Sequence, residues 1–255
     1  LGRQSDKPIC FVLTVLPSAE KFPRNRKKSQ IENVWFGLVS GVPQRKRYIA
    51  LTIDVVMYLA DRQISLRMGQ SFWSRGPSLS TKFTASDFPS LQPESTGEDD
   101  HAAVLQATVE LTQLLHNVHD IIYTSKSRTM EIMLMGDYSR YLDDFLKALA
   151  AWDQIWGTLE VSPKLRCTLR LIYEYLCLYV NAFSLQAVIS RSAQSQRDMR
   201  WSGMAAQSLF PRGVMASPDG RFIFEAVRAA KNILKLFADM DAEVHLRYLP
   251  SRFYL

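Results

Sequence analysis

His116 and His119 stand three positions apart in HNVHD, with Asp120 directly after them. On a helix this spacing sets both imidazoles on one face a turn apart, within reach of one divalent metal. A zinc centre takes further ligands, and the remaining histidines, His101 and His245, lie in no motif that supplies them. His119 falls next to the apolar stripe, where a hydrogen-bonded histidine at the edge of a core accounts for it better than a metal ligand. The acidic pair Asp143-Asp144 in YLDDFLKAL is the other candidate. Magnesium clamps on helices use carboxylates at i and i+3 or i+4, so that their oxygens converge on one ion. Here the two acids are adjacent and positions 147 and 148 are Lys147 and Ala148, which suits a solvated helix face. Phosphate-cradling G-x-x-x-x-G-K-[ST] loops, G-x-S-x-G elbows and G-x-G-x-x-G turns are absent. No catalytic residue, metal ligand or cofactor site is therefore assigned. An all-helical metal-dependent enzyme using Asp143, Asp144, His116 and His119 stands as the second reading.

Aromatic side chains offer a different chemistry. Tyr138, Tyr141, Trp152, Trp156, Tyr173, Tyr175 and Tyr179 fall on consecutive helical stretches and could line an apolar pocket with polar tips for a small effector. The same residues also suit an ordinary aromatic core.

The elements that would carry these residues are helical. The 255-residue chain is 47% hydrophobic, enough for a folded core, and its net charge of +6 is too small an excess to argue for nucleic acid by itself. Cys10, Cys167 and Cys177 form neither a secreted disulfide framework nor a C-x-x-C metal module, which favours a reducing compartment. The apolar runs are interrupted by Asp54, Glu174 and Asn181, so no transmembrane segment is expected. KPICFVLTVLPSAE imitates an export signal, but Pro8 and Pro17 bracket it like turns, and a chain opening on Leu1 is expected to be a fragment. Prolines cut residues 1 to 45 into an irregular segment whose basic PRNRKKSQ run reads as a solvated loop.

From residue 46 the pattern turns helical. Ile49, Ile53, Val56, Ala60 and Ile64 predict a buried face, with Asp61 reaching Ser65 one turn on, Arg62 pointing off the apolar stripe and Gly69 closing the helix. Residues 70 to 100 read as a long connection whose Phe72, Trp73, Phe83 and Phe88 hold it against a surface, ending in Glu98, Asp99 and Asp100 at the next helix start. Val104, Thr108, Leu111, Leu115, Val118 and Ile122 mark that helix. After TSKS a further long helix carries Tyr141, Phe145, Leu149, Trp152 and Trp156. Ser162-Pro163 opens a third, with Leu165, Leu169, Ile172, Leu176, Tyr179, Phe183 and Ala187 on one side. A last helix shows Ile223, Val227, Ala230, Ile233 or Leu234, and Phe237. No segment alternates as a half-buried strand does, so the expected class is all-α, a multi-helix domain of antiparallel packed amphipathic helices over residues 46 to 255.

YLADRQISLRMGQSFW at residues 58 to 73 resembles the middle homology region of fungal zinc-cluster transcription factors, where Asp-Arg-x-x-Ser-Leu-x-x-Gly is followed by an aromatic loop. HDIIYTSKSRTMEIMLMGDYSRYLDDF, YEYLCLYVNAFSLQAVISR and LRYLPSRFYL are similar in the same order. The resemblance implies an all-helical regulatory domain, a nuclear location and control of RNA polymerase II transcription. Asp61, Arg62, Ser65, Leu66 and Gly69 match the motif and carry structural roles. The family's DNA-binding module holds two zinc ions with six cysteines, which the three cysteines here cannot provide, so zinc and DNA are expected only through a separate module. The expected partners are transcription machinery or co-regulators, a small-molecule effector and a second copy in a homodimer, with no membrane.

Overall fold

Polar side chains cap the starts of two of the helices. The computed structural model describes residues 44–68, 72–74, 83–95, 97–201, 209–210 and 213–239. These are all-α, with no strand among the described residues: α1 (Gln44–Met68), α2 (His101–Ile122), α3 (Lys126–Met135), α4 (Ser139–Trp156), α5 (Pro163–Trp201) and α6 (Gly220–Ala238). The chain divides into two compact units, residues 1–82 with 249–255 and residues 83–248, a boundary inside the long Ser- and Pro-rich connection. The basic PRNRKKSQ run, the export-like stretch, Gly69 and LRYLPSRFYL lie outside the described residues.

In the second unit Asp100 caps α2, its carboxylate accepting from the Ala103 amide at 2.9 Å. Ser125 caps α3 by accepting from the Arg128 amide. The single long helix expected after TSKS is in fact two, because Gly136 sits at φ 80 and ends α3 in the left-handed conformation. Open space surrounds the position where a Cβ would stand on Gly136, so only backbone strain opposes a side chain there. Gly136→Ala is therefore expected to cost about 1 kcal/mol, measured by denaturant unfolding, and Gly136→Asn less.

α5 is the central helix. It packs along α6 and also meets α2, α3 and α4. Its stripe follows the sequence reading: Leu169, Ile172, Leu176, Phe183 and Ala187 are buried. Its polar interruptions are accommodated inside the unit. Buried Glu174 accepts from Arg170 and from Asn232 at 3.1 Å, while the Asn181 amide donates to the Cys177 carbonyl at 2.8 Å. By length and composition α5 is apolar enough to cross a membrane, a test that the core helix of a folded unit also passes. Most of its apolar window is buried against its neighbours.

Two stripes differ from expectation. On α6 the buried side is Phe222, Ile223, Ala226 and Ala229, while Val227 and Leu234 are exposed along with Phe224. The apolar arc of this helix is wide, and Val227 and Leu234 fall at its margin, outside the part that packs. On α1 the buried residues are Val55, Tyr58, Leu59, Arg62, Gln63 and Ser65, and the expected Ile49, Ile53 and Ile64 are exposed. Burial there follows the charged pair, for the reason that its geometry gives below.

Candidate functional site

In the first unit, α1 presents Asp61 to the chain that returns at residues 72–74. Its carboxylate accepts from the Ser74 amide at 2.9 Å, the Ser74 hydroxyl at 2.7 Å, the Trp73 amide at 3.1 Å, the Ser65 hydroxyl at 3.2 Å and Arg62 Nη1 at 2.7 Å. Burial pushes the Asp61 carboxyl up, but these donors and the Arg62 charge outweigh it and hold the group below the usual carboxylate range. The contact with Ser65 is the one the motif spacing predicts. Arg62 does not point off the apolar stripe: it is only 2% exposed, with its guanidinium 4.9 Å from the Tyr58 ring and 4.1 Å from the Phe72 ring. An ion-paired arginine between two aromatic faces is well suited to burial, and this turns α1 away from the side its isoleucines suggested. Leu66 is half-buried.

The aromatic residues of the effector reading are spread through the second unit. Trp152 is buried, donates Nε1–H to the Ala107 carbonyl at 3.0 Å and stacks on Tyr173 at 5.5 Å. Trp156 donates to Glu110 at 2.7 Å, and Tyr141 is exposed. Tyr179 lies between Tyr123 at 4.9 Å and Tyr175 at 6.2 Å. Tyr138, 1% exposed, packs edge-on to Phe183 at 5.2 Å.

Tyr138 also belongs to a partly buried polar latch. Its hydroxyl donates to Asp219, at the N-terminal end of α6, and accepts from Arg191 of α5 at 2.9 Å. Arg191 closes the circuit, reaching the second Asp219 oxygen at 2.5 Å and the Met133 carbonyl of α3 at 3.0 Å. Burial first, and then the Asp219 carboxylate, push the Tyr138 phenol up to about 12, so it stays protonated as the donor. Three helices and the turn between α3 and α4 are thus joined by one ion pair, Arg191 with Asp219, and by the hydrogen bonds of the Tyr138 hydroxyl and the Met133 carbonyl.

Beside the latch lies an open, mainly apolar hollow of about 520 Å³, lined by Tyr123, Lys126, Thr129, Met130 and Met133 on one side and Gln186, Ile189 and Ser190 on the other. None of the aromatic residues singled out from the sequence lines it. Its signal in the sequence was the methionine-rich MEIMLM run, which periodicity alone passes over.

The candidate metal residues are separated into local pairs. Asp143 accepts from Arg221 at 2.7 Å, Asp144 from Lys147 at 3.2 Å, and His116 faces Asp120 at 3.4 Å. His119 Nδ1 lies 3.5 Å from the Tyr179 hydroxyl, and burial pushes its pKa down. Among the described residues no cluster of three His, Cys, Asp or Glu side chains is placed to hold a metal ion.

No family model, curated protein or solved structure matches the chain, so its functional reading rests on the residues themselves.

Proposed function

We propose that this chain is a regulatory helical domain of a fungal transcription factor of the zinc-cluster family, acting in the nucleus on RNA polymerase II transcription through contacts within the protein, with co-regulators and with a small effector. The observation that carries this reading is a convergence. The stretches 119–145 and 173–191, which resemble that family and lie far apart in sequence, together supply every residue lining the hollow and every partner in the latch except Asp219. Met133 and Ser190 link the two features. The Met133 side chain faces the hollow while its carbonyl accepts from Arg191, and Ser190 precedes Arg191 on α5. A ligand that prefers one position of α3 shifts the latch, and with it α6, by its difference in affinity for the two arrangements. DNA contact and zinc belong to a separate six-cysteine module in this reading. Co-regulator contact uses the outward side of α6, where Phe224, Val227 and Leu234 are exposed beside Lys231 and Lys235, while Arg221 and Arg228 are paired with Asp143 and Glu225, a face suited to an acidic amphipathic segment.

The test is to fuse the full chain to a foreign DNA-binding domain and read a reporter across growth conditions. Activation or repression relative to the DNA-binding domain alone is expected; identical reporter output under every condition removes the proposal.

A further inference from the structure

The hollow between α3 and α5 has a chemistry of its own. Its volume of about 520 Å³ falls within the roughly 300–1,000 Å³ of small-molecule sites. Met130, Met133, Ile189 and the Tyr123 ring give it an apolar body, and two methionines let that body adapt to a flexible chain. Charge is confined to one residue, Lys126 in the first turn of α3. Neighbouring Arg128 is occupied by Glu131 at 3.0 Å, whereas Lys126 enters no ion pair among the described residues, and no carboxylate lines the hollow. Among the described residues the Ser190 hydroxyl donates to the Met133 sulfur alone, at 3.6 Å, a weak acceptor that a ligand oxygen displaces. The Thr129 hydroxyl proton is taken by the Ile122 carbonyl at 2.9 Å, which leaves Ser190 as the hydroxyl donor of the lining.

We infer that the hollow binds an amphipathic monoanion, a molecule with an aliphatic body laid along Met130, Met133 and Ile189 and a single carboxylate held by Lys126 with Ser190 as donor. A polyphosphate has too few cations to meet it there, and a cationic ligand meets Lys126 head on. The inference rests on the regulatory reading only in taking an effector to act at this hollow; the ligand class follows from the lining.

Calorimetric titration of the full chain with sodium decanoate, kept below its micelle concentration, tests it, with 1-decanol and decylammonium as neutral and cationic counterparts. One decanoate per chain is expected, with both counterparts bound at least about tenfold more weakly. Lys126→Met, at an exposed position, is expected to weaken decanoate about tenfold and leave decanol unchanged. Ile189→Glu, at a half-exposed rim position, sets a second anion in the hollow and is expected to abolish decanoate binding. An unchanged helical circular dichroism spectrum shows that each variant is folded; if Ile189→Glu is not, Lys126→Met carries the test. Absence of saturable decanoate binding, equal binding of decanol, or indifference to Lys126→Met overturns the inference. Lost binding with the reporter response intact removes the ligand class alone. Intact binding with a silent reporter removes the transcriptional reading.

Discussion

Asp219→Ala lowers the stability of the helical unit by about 3 kcal/mol, a fall in melting temperature of roughly 6–12 °C for a unit of this size. Two losses add. The Tyr138 hydroxyl, buried with the rest of its ring, loses its acceptor, which costs about 1–3 kcal/mol for a buried donor. Arg191 loses its counter-charge. That second loss is smaller than for a fully enclosed cation, because the Arg191 side chain keeps 32% of its exposure and water can reach it. Asp219 also stands at the positive end of the α6 dipole, and the alanine forfeits that contribution as well. Tyr138→Phe is expected to cost less, about 1–2 kcal/mol, since the ion pair survives. Because both variants break the same circuit, the double variant is expected to cost less than the sum of the single ones. Urea unfolding followed by circular dichroism measures all three. A loss within about 0.5 kcal/mol for Asp219→Ala removes the latch as a stabilising device.

The latch shows where the sequence stops being informative. Tyr138 was singled out for its ring, yet its partners Arg191 and Asp219 lie 53 and 81 residues away, and no local pattern joins them. α5 was legible because Ser162-Pro163 and the stripe agree, although its neighbours also cover Leu171, Tyr173, Val180 and Val188 outside that stripe. α6 was legible as a one-sided helix but not in where its wide apolar arc stops: Ile223 is inside as expected, while Val227 and Leu234 at the margin stay exposed beyond the contact with α5. The α3–α4 break hung on Gly136, a residue that also occurs inside helices, so its left-handed φ is a property of the fold. The hollow could not be read because its lining joins Tyr123, just past the end of α2, to residues of α3 and α5, most of them partly exposed, which a periodicity analysis discards as surface.

Asp61→Ala has the largest expected effect, about 4 kcal/mol in the anchoring of residues 73 and 74 to α1. Removing one partner of a buried ion pair costs about 3–5 kcal/mol because the other charge stays behind. Arg62, 2% exposed, cannot rehydrate without leaving the space between Tyr58 and Phe72, and although Nη1 also donates to the Ser74 hydroxyl at 3.2 Å, its Nε has no hydrogen-bond partner. The Trp73 and Ser74 amides lose their acceptor at the same time, but Trp73 is exposed and water replaces part of that loss. Amide hydrogen exchange at these two positions is the direct measurement, and protection is expected to collapse in Asp61→Ala. Removing both charges in Asp61→Ala/Arg62→Met is expected to recover a good part of the stability, since no buried ion then remains. Acid has the same target. The folded Asp61 carboxyl titrates below its unfolded value of 3.8, so its contribution is complete above about pH 4 and is lost as pH falls through the lowered folded value. Protection at Trp73 and Ser74 should therefore fall in acid in the native chain, while in Asp61→Ala it is already lost at neutral pH. Full protection of both amides in Asp61→Ala would show that another group holds the loop, and the matching of Asp61 to the family motif would then have no structural meaning.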